Sequence, residues 1–513
     1  MVGEPKIGRF LFDSITKGLY ENPLCIFREY IQNSADAIDS AVQSSAMQRD
    51  SGKITIDIDP TPPEPKIVIE DNGCGIGSRE AVAILSSVGE SSKYDHRSRG
   101  FRGIGRLGGM AYCSRIVFHT KSQGESIETI NSWDCKKMAE MLNPNNHKYR
   151  ATELKDVIKE CASFQSVTTK KKQADTFFRV ELHKVKSARN VLLDILAARE
   201  YLTQVAPVPF DYQNFPFGKE IDNLLRREVL NYNTYKILVN FEELFKPYKT
   251  TVRLSQSKED RITGIVPLET LDDDGKIIGR GWRADRKELL GAILRTERVE
   301  GIRVRVGNIL LGDSDLLDRV FKQERFNSYF IGEIHAVDPE LIPNSRRDDF
   351  EDSDLREIFY DNIRKTLGEP LSKLVQKTSS EHSKASPIKK ASEAVVAAKK
   401  EQKTGFVSAS HKNDVIKDLR DWKEQLEGLQ RNKTNDSIKQ GAQDQIERLE
   451  DAIEDIQKEK RDILTALSSL YSRVEREIVE RVLAHIYENY AKASDAIKLS
   501  RILIQRLNAD RKP

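Results

Sequence analysis

Glu29, Asn33 and Asp36 stand at i, i+4 and i+7 within the run Phe27–Ala37 (FREYIQNSADA). The run is apolar-periodic, so the three polar groups share one face of a helix. A carboxylate that can order a water, one turn from an amide that can ligate a divalent cation, is a hydrolytic arrangement. About forty residues on, the chain reads IEDNGCGIG: a strand, Lys66–Glu70, delivers Asp71 into a turn where Gly73, Gly75 and Gly77 permit close backbone approach. A third segment joins Ser91-Ser92-Lys93 to Gly100–Gly109 (GFRGIGRLGG), five glycines in ten residues running into Met110-Ala111-Tyr112. Backbone N–H groups where such a loop enters a helix cradle phosphates, aided by the helix dipole. The spacing is neither that of the P-loop nor that of the Rossmann fingerprint. Taken singly, each segment has an ordinary account, as a solvated helix face or an Asx turn. In this order, they describe the two halves of a nucleotide site on a helix and a strand-turn.

The three segments together resemble the GHKL (Bergerat-fold) ATPases, the superfamily that includes the ATPase component of DNA gyrase, the ninety-kilodalton heat-shock chaperones, sensor histidine kinases and MutL. Glu29–Ala37 is similar to the helix box, Asp71–Gly75 to the adenine box and Gly100–Gly109 to the glycine-rich lid. Leu11–Ile15 and Gly18–Asn22, continuing into Phe27-Arg28-Glu29, resemble the first helices of the heat-shock chaperones. Gly103–Gly105 through Ile116–Lys121 resembles their lid, helix and following strand, while Ser92-Lys93 and Gly100–Gly103 are equally close to the MutL lid.

What that resemblance implies is specific. Glu29 would act as general base or orient the attacking water, Asn33 would hold Mg²⁺, and Asp71 would accept a hydrogen bond from the adenine amino group of ATP. Asp36, Gly73 and Gly75 complete the nucleotide-binding set, and Lys93 with the Gly103 and Gly105 amides would contact the phosphates. The fourth box of the superfamily, usually Gly-Thr entering a strand, has its nearest match at Asp175-Thr176. The missing glycine leaves Thr176 either a site residue or an ordinary β-branched strand residue. In a second segment, Ile302–Val306 with Ile309–Asp313 resembles a strand pair of the chaperone middle domain. Leu341–Asp348 (LIPNSRRD) resembles the chaperone loop whose arginine reaches the nucleotide. Arg346 would be that sensor and second catalytic residue, with Arg347 the alternate, unless both pair locally with Asp348, Asp349 and Glu351.

The elements that must position these residues set the rest. At 513 residues the chain is long for one domain and is expected to hold about three. We expect a Bergerat-type α/β sandwich ATPase domain over 1–205, an α/β transducer over 206–375, a flexible linker over 376–413, and an all-helical region, hairpin or coiled coil, over 414–513. Within the first, Asp134–Lys172 reads as a charged, helical insertion. Strands are expected at Tyr235–Phe241, Gly264–Leu268 and Ile302–Val306, and helices at Arg286–Ile293 and Asp315–Phe321. Gln376–Asn413 carries eight lysines against three glutamates and few large apolar residues, the composition of a solvated linker. Beyond it, Val415, Leu419, Trp422, Leu426 and Leu429 form one heptad seam. A second runs through Ala442, Ile446, Leu449, Ile453, Ile456, Ile463, Leu467, Leu470 and Val474.

A net charge of +3 with 32% charged residues points to no strong field for nucleic acid. No apolar run of about 18 residues and no charged-then-apolar leader is found, so neither membrane span nor signal peptide is expected. Five cysteines without metal spacing fit a reducing, cytoplasmic compartment. The expectation is an ATP- and Mg²⁺-dependent conformational switch of the chaperone-like kind, a homodimer acting on a protein client or companion. The alternative is a MutL- or MORC-like ATP-gated clamp on DNA.

Overall fold

The computed structural model describes residues 22–88, 103–149, 152–169, 175–229, 232–289, 291–431, 436–459, 463–467 and 469–510. They form two compact units, residues 1–375 and 376–513.

The first unit is mixed α/β. Helix α1 (Cys25–Gln43) turns Ile26, Phe27, Tyr30, Ile31, Ala35 and Ile38 into a core. Asn22 Oδ1 accepts the Leu24 N–H at its start, and Ser45 at φ 58° ends it. Beneath lie β1 (Lys53–Asp59) and β2 (Lys66–Asp71), antiparallel, with Ile54 opposite Asp71 and Ile56 opposite Ile69. Alternation along both strands buries Ile54, Ile56, Ile58, Ile67 and Ile69. The same alternation buries Asp71 at the end of β2, which is how a carboxylate reaches the core side of the sheet. Helix α2 (Ser78–Ser86) follows the glycine turn after Asp71, and a 3₁₀ segment Gly105–Tyr112 leads into β3 (Arg115–Lys121) and β4 (Ile127–Asp134).

The expected helical insertion holds two short helices, α3 (Cys135–Leu142) and α4 (Leu154–Cys161), and then a strand. That strand, β5 (Ala162–Thr168), pairs with β4 along its length and forms the edge of the sheet. Its β-branched and aromatic residues suit it to pairing, a preference the flanking charges masked. β6 (Phe177–His183) lies between β3 and β2. Helices α5 (Ile195–Val205) and α6 (Gly218–Glu228) precede β7 (Lys236–Val239) and β8 (Glu242–Glu243). β7, anticipated as part of the second segment, runs parallel to β1 and completes an eight-stranded sheet ordered β5-β4-β3-β6-β2-β1-β7-β8. Ile237 and Val239 are fully buried there.

The second sheet is built from β9 (Thr251–Arg253), β10 (Glu259–Leu271), β11 (Ile277–Arg286), β12 (Gly301–Val306), β13 (Ile309–Leu311) and β14 (Ile331–Ala336), ordered β13-β12-β14-β11-β10-β9. Arg286–Ile293 is not the expected helix. Arg286 ends β11 with its guanidinium paired to Asp260 at 2.9 Å, and positive φ at Leu289 and Gly291 breaks any helical run. Asp315–Phe321 likewise reduces to turns and one 3₁₀ turn, Asp318–Val320. Helix α7 (Asp354–Ile363), capped by Ser353, packs Phe359, Tyr360 and Ile363 into this domain's core.

The anticipated linker is helical over most of its length, because α8 spans Glu369–Thr404 with Pro387 in its interior. Ala391, Val395 and Ala398 form a buried stripe at helical spacing. Lysine and alanine favour helix, and a stripe of such small residues is easily mistaken for solvated composition. The heptad seams form an intrachain antiparallel hairpin of α9 (Ala409–Arg431) and α10 (Asp436–Lys458). Lys423 pairs with Glu450 at 2.6 Å and Gln430 with Gln443 at 2.7 Å, separations that fix the antiparallel sense. The second seam ends before its predicted limit: Leu470 and Val474 are 57% and 65% exposed. Ile463 and Leu467 instead join a separate cluster with Leu483 of α11 (Arg473–Asn489) and Ile504 of α12 (Ala493–Asp510).

Candidate nucleotide site

The glycine turn after Asp71 is fastened from both sides. Asp71 is 2% exposed. Its Oδ2 accepts the Ser34 hydroxyl of α1 at 2.7 Å and its Oδ1 accepts the Gly73 N–H at 2.9 Å. Cys74 donates its N–H to the Ala37 carbonyl at 3.2 Å, so turn and helix are stitched together. Side chains would not fit here. A Cβ on Gly73 would lie 2.7 Å from that of Ala37, and Gly75, at φ 63°, would place one 2.1 Å from the Lys121 carbonyl oxygen. On the opposite flank, Thr120 Oγ1 accepts the Ile76 N–H at 2.7 Å, and Thr176 donates its hydroxyl to the Asn72 carbonyl at 3.4 Å. Thr176 therefore touches the turn that holds Asp71. Ser34 and Thr120 carry no signal of their own in the sequence, although Ser34 lies inside the helix box, two residues before Asp36.

On α1, Glu29 and Asp36 are buried at 8% and 7% exposure and Asn33 is half-buried. The glycine-rich segment comes directly against them: a Cβ on Gly105 would lie 2.6 Å from Glu29 Oε2. Gly103, at φ 66°, turns the chain into this approach. Tyr30, next to Glu29, tethers the segment. Its hydroxyl donates to the Arg106 carbonyl at 3.1 Å and accepts the Gly109 N–H at 3.2 Å, and a Cβ on Gly109 would strike it. Arg106 donates to the Ser87 carbonyl, and burial lowers the affinity of its guanidinium for a proton. Lys93 and the beginning of the glycine-rich run, residues 100–102, lie outside the described residues.

A loop of the second sheet's domain reaches the same helix. Arg28 Nη2 lies 3.3 Å from Glu29 Oε1 and donates to the Arg346 carbonyl at 3.1 Å, so one guanidinium touches both the Glu29 carboxylate and the loop Leu341–Asp348. The Arg346 side chain is itself 58% exposed and paired with Asp348 at 2.9 Å; it meets α1 through its backbone. The loop is held from behind by Asp349, which accepts from Arg356 at 2.7 Å and from the Tyr360 hydroxyl at 2.5 Å. These donors keep the Asp349 carboxyl below its usual range despite burial. A cleft of 660 Å³ lies along Asn344, Ser345, Arg346 and Asp348. Nearby, burial and then Asp315 push Asp313 up, with Arg28 acting in the opposite direction. Arg28 is silent in the sequence because a charge beside the helix box reads as ordinary solvated surface.

A second polar centre, also missed, joins the two sheets' domains. Glu333 on β14 accepts from Arg305 Nε at 2.6 Å, Lys246 Nζ at 2.7 Å and the Tyr248 hydroxyl at 2.9 Å. The side chains of Glu333, Arg305 and Lys246 are wholly buried. Arg305 continues to the Gln204 carbonyl on α5 at 2.8 Å, and Arg303 to the Gln204 side chain. Burial works against the Glu333 charge, but Arg305 and Lys246 hold it well below the usual carboxylate range. Burial, then Arg305, lowers Lys246 to about 7, and burial takes His335 to about 4. The signal was present in the alternation Ile302-Arg303-Val304-Arg305-Val306, whose arginines face inward.

Chemically, the parts fit a purine nucleotide and its phosphates. A buried carboxylate stands at a glycine turn with no room for side chains, and an acid and an amide share a helix face against a glycine-rich segment. The sequence family described as histidine kinase-, DNA gyrase B-, and HSP90-like ATPase matches residues 26–168. Over 139 residues the chain is 26% identical to the chaperone protein HtpG of Psychrobacter arcticus, a match covering 24% of this chain and 21% of that protein. The HtpG of Psychrobacter cryohalolentis is 27% identical over the same length and the same shares. That of Mycobacterium bovis is 24% identical over 139 residues, 24% of this chain and 22% of that protein. The chain thus spans about a fifth of the length of these curated relatives.

Proposed function

We propose that the chain is an ATP-hydrolysing conformational switch whose residues 26–168 are an ATPase domain of the GHKL superfamily, near its heat-shock-chaperone-like members, a reading supported by the family match and the HtpG relatives. The observation that carries this is the convergence on α1: Glu29 meets the glycine-rich segment at Gly105 on one side and, through Arg28, the Arg346 loop on the other. Asp71 receives the adenine amino group, with Gly73 and Gly75 allowing the base to approach and Thr176 supporting the turn. Gly103, Gly105 and Lys93 take the phosphates, and Asp36 completes the polar face of α1. Asn33 would hold Mg²⁺, which when bound would neutralise phosphate charge. Glu29 orients the attacking water and accepts its proton.

Arg346 is the group that completes the site when its guanidinium exchanges Asp348 for the nucleotide, an arginine-finger logic. Binding of ATP then favours one arrangement of the loop on α1, and hydrolysis releases it. The HtpG relatives are chaperones by name, which supports a protein client. The first test is nucleotide affinity. Asp71→Asn removes a charged acceptor worth ~1.5–3 kcal/mol, so ATP and ADP should bind about tenfold or more weakly. Unchanged affinity by calorimetry would place the adenine elsewhere.

A further inference from the structure

Two of the five cysteines face one another at the end of the glycine-rich segment. Cys113 follows the 3₁₀ segment Gly105–Tyr112, and Cys135 is the first residue of α3. β3 and β4, in register with Arg115 opposite Asp134, bring them together, and their Sγ atoms are 3.8 Å apart. Cys113 is half-buried, and Cys135 is 2% exposed. Both thiols line a cavity of 150 Å³ shared with Met110, Lys136 and Met138. A water's share of liquid volume is about 30 Å³, so the cavity admits a small oxidant.

We infer that Cys113 and Cys135 are a convertible dithiol, a modification site for hydroperoxides that closes to an intrachain disulfide. In the first step the Cys113 sulfur, as thiolate, attacks one peroxide oxygen, the O–O bond breaks, and sulfenic acid and water result. In the second, the Cys135 sulfur attacks the sulfenic sulfur, the S–O bond breaks, and a second water leaves with the thiol's proton. Two thiols are oxidised by two electrons and one hydrogen peroxide is reduced to two waters. The hydrogen bond to Cys135, and then burial, raise Cys113 well above the usual thiol range. Conversion is therefore slow at neutral pH and quickens as pH rises.

The consequence runs to the nucleotide site. Closing the bond shortens the sulfur separation to about 2.05 Å. It also removes the Cys113 S–H that now donates to the Gly109 carbonyl at 3.3 Å. Gly109 is the residue tethered by Tyr30, one position after Glu29. Displacement of the segment against Glu29 should lower ATP turnover by roughly tenfold or more, reversibly. This second part rests on the ATPase assignment; the disulfide does not.

The full chain, treated with hydrogen peroxide at pH 8, alkylated under denaturing conditions and digested, should yield a linked Cys113–Cys135 peptide and the loss of two alkylatable thiols. Sulfinic acid at either position, a different pairing, or retention of both thiols would overturn the site. Cys113→Ser should form no such link and keep its turnover through the same treatment. Inhibition that persists in Cys113→Ser would assign the effect to another thiol and overturn the coupling, as would a mapped link that leaves turnover unchanged. A mapped link in a chain that hydrolyses no ATP in either redox state would instead refute the ATPase assignment and leave the dithiol standing.

Discussion

Glu29 is confined by its neighbours to a small set of positions, and that confinement suits the water-orienting role proposed for it. On one side is Arg28, and on the other a glycine whose missing side chain leaves 2.6 Å between a hypothetical Cβ and Oε2. Gly105→Ala should displace the carboxylate with little disturbance of the core, since the atom it meets ends a flexible side chain. ATP turnover should fall by roughly tenfold or more while nucleotide affinity changes much less. A parallel loss of affinity would mean that Gly105 acts by contact with phosphate instead. The spacing of Glu29, Asn33 and Asp36 and the glycines after Asp71 were legible because each carries its chemistry in its residue type. Arg28, Ser34, Tyr30 and Thr120 were not. Their importance comes from what they touch across the fold, and an arginine or a tyrosine on a helix has many ordinary uses.

The elements foreseen correctly include those whose hydrophobic period is unambiguous, α1, β2 and β12, and the expected strands at Tyr235–Phe241 and Gly264–Leu268 fall on β7 and β10. The failures have separate causes. In β5, the charged helices before the strand obscured its pairing partner in β4. In α8, a buried stripe of Ala391, Val395 and Ala398 carries too little hydropathy to announce a helix. At Arg286–Ile293, an inward-facing ion pair with Asp260 and positive φ at Leu289 and Gly291 override local propensity. The turn between β2 and α2 is the element on which the site depends most. Gly75→Ala would place a Cβ at φ 63° and 2.1 Å from the Lys121 carbonyl oxygen. Because backbone cannot yield as a side chain does, we expect a loss of about 2–4 kcal/mol in thermal or urea unfolding of the first unit. A stability equal to the parent's would show that the turn can be rebuilt.

At the scale of the whole molecule, the first unit joins its eight-stranded sheet to a second sheet through buried charge. Glu333, Arg305 and Lys246 are paired with one another out of contact with water, and Arg305 hands the contact to Gln204 of α5. Such a centre makes stability depend on pH. His335, lowered to about 4 from 6.5, stays neutral in the folded state while the unfolded chain takes up its proton. Stability is therefore lost as pH falls from about 6.5 to about 4, by up to ~3 kcal/mol. Glu333, held well below 4.5, adds a further loss below that value. His335→Gln should flatten the decline between pH 6.5 and 4 in urea unfolding and leave the lower limb in place; an unaltered slope would assign the decline to other groups. The same join lets the Arg346 loop rest on α1 beside Glu29, so catalysis at that helix is the central proposal. The most direct measurement is phosphate release from ATP by the full chain and by Glu29→Ala, at nucleotide concentrations that give both equal occupancy. Glu29→Ala should bind ATP within a few-fold of the parent and turn it over about 10²-fold or more slowly. Equal turnover in the two proteins, or ATP bound by neither, would refute hydrolysis at Glu29.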